Sequence, residues 1–165
     1  PRGNPAFLFE EIKKMPDWEL VFAEESCLVL VPKERALRLP KLDWDTLLRE
    51  RGIPKPGPEE AERLLRTPSI SAPMDWLSGF WRKHEYDNGL FCLQGLACYY
   101  GHLDFAEACL LEVVRRTRGS LPDAYFNLGM IYLLQKRSDL SRLAYLRCWE
   151  EGLRSPLVRE RAGLP

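Results

Sequence analysis

Residues 122–132 read PDAYFNLGMIY and contain the clearest packing signal in the chain. Within it Tyr125, Leu128, Gly129 and Tyr132 form the pattern aromatic-x-x-Leu-Gly-x-x-Tyr. A small residue on one helix lets a facing helix approach closely, and aromatic side chains fill the space left beside it. The stretch therefore predicts a helix that packs closely against a neighbouring helix.

The sequence around this stretch predicts further helices. Between Pro73 and Pro156 the only proline is Pro122, whereas prolines are frequent before residue 75. Apolar residues recur there at helical spacing. Glycines at 101 and 119 and the Arg137-Ser138 turn separate the predicted helices. These helices span residues 75–86, 87–100, 103–118, 123–135, 139–152 and 155–162.

The first part of the chain predicts a small α+β section. Residues 18–22 (WELVF) and 27–31 (CLVLV) are β-prone and lie at hairpin distance, so we expect a hairpin at about residues 18–31. Short helices are predicted at 6–14, at 43–51 with Asp43 as its cap, and at 59–66 after Pro58. Proline-rich linkers follow at 53–58 and 67–73. We therefore predict an N-terminal section, 1–72, and a helical domain, 73–165.

Two segments of the helical domain coincide when the sequence is shifted by 35 residues. Leu93 then falls on Leu128, Ala106 on Ser141, Leu110 on Tyr145 and Val113 on Cys148. Aligning Gly95 with Gly129 requires a shift of 34, so the register of the first helix is ambiguous by one residue. A period near 34 residues is typical of helix-turn-helix repeats.

Residues 88–152 resemble the tetratricopeptide repeat family, with two repeats at about 88–120 and 122–153. Tyr125, Leu128, Gly129, Tyr132 and Tyr145 match the packing positions of the family, and residues 101–106 match its inter-helix turn. Lys136 and Ser141 depart from the usual glycine and alanine. The resemblance implies a mainly α fold of antiparallel helix pairs, an α-solenoid fragment, in which the helices at 75–86 and 155–162 could cap the pair.

The resemblance also implies a function. Tetratricopeptide arrays bind extended peptides or helices in a groove lined by the first helix of each repeat, so we expect a non-catalytic protein-interaction module rather than an enzyme. Carried onto this chain, the groove residues are Asp123, Phe126, Asn127, Met130, Leu134, Leu96, Tyr99 and Tyr100. Simple packing of Phe126 and Met130 under the last helix is the alternative. The sequence is also compatible with a homo-oligomer.

A second resemblance concerns residues 17–31. Asp17-Trp18-Glu19-Leu20-Val21-Phe22, an acidic turn and an apolar strand are similar to the soluble tail of polytopic bacterial glycosyltransferase-like membrane proteins. This resemblance implies an accessory periplasmic domain as the alternative to a cytoplasmic interaction module. Because the chain begins with Pro1, we expect it to be part of a longer protein.

The composition argues against two classes of partner, nucleic acids and membranes. The chain has 24 Lys and Arg against 24 Asp and Glu, and this balance argues against a nucleic-acid-binding surface. No apolar run is long enough to span a bilayer, so we expect no membrane insertion in this part of the protein. The five cysteines lie among apolar residues and predict buried thiols. A Cys98–Cys109 disulfide is the alternative if the chain is exported.

The sequence predicts neither a catalytic nor a metal site. It lacks a glycine-rich phosphate loop and a Gly-x-Ser-x-Gly motif. His84 lies in the charged run 82–85 and His102 in a predicted turn, and neither has Cys or carboxylate neighbours at ligand spacing. The aromatic residues of segment 75–86, Trp76, Phe80 and Trp81, predict a core stripe. We therefore expect no catalytic residues, no metal and no cofactor.

Overall fold

The computed structural model describes residues 11–12, 14–23, 28–67 and 88–165. The protein is mainly helical with a small antiparallel hairpin near its N-terminus, which confirms the predicted fold class. The predicted helix 75–86 and most of the predicted helix 6–14 lie outside the described residues. The elements in chain order are β1 (Trp18–Ala23), β2 (Leu28–Pro32), α1 (Lys33–Ala36), α2 (Trp44–Glu50), α3 (Pro58–Arg66), α4 (Asn88–Tyr99), α5 (Leu103–Arg116), α6 (Pro122–Leu134), α7 (Ser138–Glu150) and α8 (Pro156–Ala162).

The hairpin joins β1 and β2 with one irregularity. Leu20 pairs with Leu30, but Phe22 pairs with Val29, so one extra residue of β1 lies between these two pairs. Such a bulge reverses the face on which the following residues lie. It allows both Leu20 and Ala23 to be buried although they are three positions apart. The predicted first residue of the second strand, Cys27, lies outside the described residues.

Local signals position α2 and α3 as predicted. The Asp43 side chain caps α2, because its Oδ1 accepts hydrogen bonds from the backbone N–H groups of Asp45 and Thr46 at 3.0 and 3.3 Å. Hydrogen bonds from Thr46, first through its side chain, lower the pKa of Asp43. Pro58 occupies the first turn of α3, where it removes no helical hydrogen bond.

Two helix pairs form the C-terminal part, α4 with α5 and α6 with α7. The connecting turns have the same construction 35 residues apart. Gly101 has φ +80° and Lys136 has φ +62°. The following backbone N–H groups, of His102 and Arg137, donate to carbonyls five residues earlier at 2.7 and 2.8 Å. Lys136 thus adopts a left-handed conformation that strains a residue with a side chain.

Gly129 is the point of closest approach between α6 and α7. A Cβ atom added there would lie 2.8 Å from the Cε2 and Cζ atoms of the Tyr145 ring. Ser141 Oγ donates a hydrogen bond to the Gly129 carbonyl at 2.9 Å, and Phe126 packs edge-on against Tyr145 with ring centroids 5.8 Å apart. The backbone of α6 therefore contacts the Tyr145 ring of α7 directly, an arrangement that only glycine permits at position 129.

The N-terminal section packs on α5 and α7, the second helices of the two pairs. α3 contacts both, and Arg115 Nη2 on α5 lies 2.6 Å from Glu60 Oε1 on α3. Trp44 on α2 stacks on His102 and meets Phe105 edge-on, each at a centroid distance of 4.8 Å. One hydrophobic core runs from Leu20 through these helices to Val158 on α8.

Three cysteines, Cys98, Cys109 and Cys148, are thiols packed in or against the hydrophobic core. Cys148 is buried, and its burial raises its pKa to about 12. Cys98 is half-buried, and its Sγ accepts a hydrogen bond from Gln94 Nε2 at 3.3 Å. The alternative Cys98–Cys109 disulfide is therefore not formed.

We predict that Gly129→Ala destabilises the protein by roughly 1–3 kcal/mol, because the added methyl group would overlap the buried Tyr145 ring. Urea denaturation would measure the change in the free energy of unfolding. Gly57→Ala is the matched control, since Gly57 has negative φ and open space around its Cα. A Gly129→Ala variant as stable as the Gly57→Ala variant would contradict the close packing of α6 and α7.

We predict that Lys136→Gly stabilises the protein by roughly 0.5–1 kcal/mol, because the relief of left-handed strain exceeds the backbone entropy that glycine adds to the unfolded chain. The reciprocal change, Gly101→Ala, should destabilise, since Gly101 has φ +80° in the equivalent turn. Thermal unfolding of the two variants would measure both effects. A loss of stability in Lys136→Gly would show that the lysine does not bear this strain.

Candidate partner-binding surface

Five side chains of α4 and α6 that are exposed or half-buried, four of them with large apolar groups, make up what we call the α4–α6 strip: Tyr99, Phe126, Asn127, Met130 and Leu134. Met130 and Leu134 keep 44% and 60% of their surface exposed, and Tyr99 keeps 43%. Phe126 and Asn127 are half-buried. The four α6 members are spaced by one, three and four residues, which places them on one side of the helix.

Asn127 connects the two helices of the strip. Its Nδ2 donates to Gln94 Oε1 on α4 at 3.4 Å, and Gln94 Nε2 in turn donates to Cys98 Sγ. The contact shows that α4 and α6 lie side by side. Asn127 Oδ1 accepts no hydrogen bond from the described residues, so it remains available as an acceptor at the centre of the strip.

The remaining predicted groove residues differ in accessibility. Asp123 is exposed at the first turn of α6. Tyr100 is half-buried and packs edge-on against Tyr99, and burial raises the pKa of its hydroxyl. Leu96 has no exposed surface and belongs to the core, so it presents no side chain to a ligand. The one-residue ambiguity of the register on α4 explains why sequence reasoning placed Leu96 in the groove.

The strip is nearly devoid of charge. Asp123 is the only charged residue of α4 and α6, whereas α5 and α7 each carry several acidic and basic residues. A surface helix of a globular protein ordinarily has a polar exposed face. The exposed face of α6 instead carries the apolar side chains of Met130 and Leu134.

A second feature is a polar cluster between α5 and the turn that joins α6 to α7. Glu107 on α5 is buried, and both of its carboxylate oxygens accept hydrogen bonds from Arg137 Nη1, at 3.0 and 2.9 Å. Gln135 Nε2 donates to the same carboxylate at 3.2 Å. A cavity of about 240 Å³ adjoins this cluster and is lined by Lys55, Pro56, Asp104, Glu107 and Arg137.

Both cations that line this cavity are paired with carboxylates. Arg137 is bound by Glu107, and Lys55 Nζ lies 2.7 Å from Asp45 Oδ1 on α2. Burial, followed by the negative charge of Glu107, raises the pKa of the Tyr132 hydroxyl. The cluster therefore fastens the α6–α7 turn to α5. Sequence reasoning missed Glu107, and the available signal was an acidic residue within the apolar run FAEACLL.

Comparison with known proteins assigns no family to the chain. No protein-family model, curated protein or solved structure matches it. The described residues contain no group of three or more His, Cys, Asp or Glu side chains that could hold a metal ion. Within the described ranges, no helix has the length and apolar content needed to cross a membrane.

We predict that Glu107→Gln destabilises the protein by roughly 1–3 kcal/mol, because it removes the charge that Arg137 and Gln135 bind in a buried position. Asp104→Asn is the matched control, since Asp104 is exposed and accepts one hydrogen bond from Gln135. Chemical denaturation of both variants would measure the difference. Equal midpoints for the two variants would show that the Glu107 cluster does not fasten the turn.

Proposed function

We propose that this chain is a non-catalytic protein-interaction module that binds another polypeptide along the α4–α6 strip. The observation that carries the proposal is the exposure of the apolar side chains Met130 and Leu134 on α6. Burying Met130 and Leu134 against a partner would be favourable by about 25 cal/mol for each Å² of apolar surface removed from water. Asn127 Oδ1 supplies one acceptor that would fix the register of the bound chain.

The location of two helices of the N-terminal section supports the proposal. Helices α2 and α3 pack on α5 and α7, the second helices of the pairs, and not on α6. The strip is also backed by rigid structure, because α6 packs against both α5 and α7 and its inner face includes Tyr125, Leu128 and Tyr132, all buried. A rigid apolar face loses little entropy on binding.

We further propose that the two helix pairs are tetratricopeptide-like repeats. Equivalent left-handed turns at Gly101 and Lys136, and the small Gly129 facing the large Tyr145, support this assignment. The first helices of the two pairs, α4 and α6, contact each other through Gln94 and Asn127. In such repeats this side of the molecule is the binding face.

Site-specific photocrosslinking tests the proposal. A benzophenone-bearing phenylalanine analogue would replace Met130 in the full-length protein, expressed in cells of its source, and irradiation would join it to any polypeptide bound at the strip. Position 157 is the matched control, because Leu157 on α8 is 43% exposed, close to the 44% of Met130. We expect a crosslinked polypeptide from position 130 and none from position 157.

Two results would contradict the proposal. Absence of any polypeptide product at position 130 would show that the strip is not covered by a partner. Equal products from positions 130 and 157 would show that capture does not depend on the strip. Substituting Leu134 by Asp should abolish the product at position 130, because a carboxylate would be buried without a counter-charge in the interface.

A further inference from the structure

Opposite charges flank the exposed face of α6. Asp123 is exposed in its first turn, and Lys136 is exposed directly after its last turn. Among the described residues neither side chain forms an ion pair. At 1.5 Å per helical residue the two positions are roughly 20 Å apart along the helix axis, and the α6 residues between them carry no charge. A partner that matches this face must therefore present a cation, an apolar stretch and an anion in that order.

A second copy of α6 that runs antiparallel to the first presents its cation, apolar stretch and anion in this order. If two α6 helices lie antiparallel about a two-fold axis at Met130, each position meets the one equally far on the other side of residue 130. Phe126 then meets Leu134 of the second copy, and Met130 meets Met130. Asp123 lies opposite position 137, one residue from Lys136. The apolar residues are thus matched, each Asp123 lies near a Lys136 of the other copy, and the helix dipoles are antiparallel, which is favourable.

We propose that the polypeptide bound at the α4–α6 strip is a second copy of this chain, docked by antiparallel pairing of α6 about a two-fold axis at Met130. This inference rests on the proposed function, because it names the partner of the same surface. The interface is isologous, the commonest arrangement in soluble homodimers.

A cysteine placed on the axis tests this geometry. Two Cβ atoms must lie about 3.5–4.5 Å apart to form a disulfide, a condition that a residue on a two-fold axis meets with its own symmetry mate. In the full chain, Met130→Cys should therefore form a disulfide-linked homodimer under mild oxidation. Leu157→Cys, of matched exposure, should form no more dimer than the unsubstituted protein. Non-reducing electrophoresis and the intact mass would show the product.

Charge reversal tests the flanking contacts. Asp123→Lys alone and Lys136→Asp alone should each weaken dimerisation, by roughly two- to tenfold in Kd, because each places like charges together at both ends of the interface. The double variant restores opposite charges and should return the Kd to near its original value. Sedimentation velocity over a concentration series would measure it. Aspartate tolerates the left-handed conformation at position 136, so the fold is retained.

The outcomes distinguish this inference from the proposed function. A Met130→Cys variant that yields no linked dimer, together with a chain that sediments as a monomer at every concentration, would overturn the second-copy proposal. If photocrosslinking at position 130 then captures a different polypeptide, the proposed function stands without it. If crosslinking at position 130 captures no polypeptide, the second-copy proposal and the proposed function are both wrong. A linked dimer and rescue by the double charge reversal would support both.

Discussion

The close contact between the Gly129 backbone and the Tyr145 ring determines the arrangement of the C-terminal helices. Because glycine has no side chain, α7 approaches α6 until its ring lies against the helix backbone, and Ser141 donates a hydrogen bond to the same peptide group. The inner face of α6 is then fully occupied. Its outer face, with Met130 and Leu134, is left directed away from both packed neighbours and forms the centre of the α4–α6 strip.

Polar contacts fix the surrounding segments without covering the strip. Arg137 binds the buried Glu107 and so holds the α6–α7 turn against α5. Arg115 binds Glu60 and holds α3 against the same helix. Both contacts lie on the side of the second helices. Helices α2 and α3 therefore pack on the side of α5 and α7, and Met130 and Leu134 of the strip remain exposed.

Much of this fold could be predicted from the sequence, because local signals were strong. Asp43 and Pro58 mark the starts of α2 and α3, and the positions of the helices from 88 to the end follow from apolar spacing and glycine turns. The residues of the α4–α6 strip were harder to predict. α4 and α6 are apolar on all sides, so periodicity cannot separate their inner and outer faces. Met130 and Leu134 were assigned through the repeat register, and the same reasoning placed the buried Leu96 in the groove. Glu107 could not be recognised, because its partner Arg137 is thirty residues away in sequence.

A double-mutant cycle at Gly129 and Tyr145 tests whether the backbone of α6 contacts the Tyr145 ring of α7. The free energy of unfolding would be measured for Gly129→Ala, Tyr145→Leu and the double variant. Leucine lacks the ring atoms that the added methyl group would overlap, so the double variant should be less destabilised than the sum of the single variants, by more than about 0.5 kcal/mol. Effects that add within that margin would show that α6 and α7 do not meet at this contact, and the assignment of the outward face of α6 would fail with it.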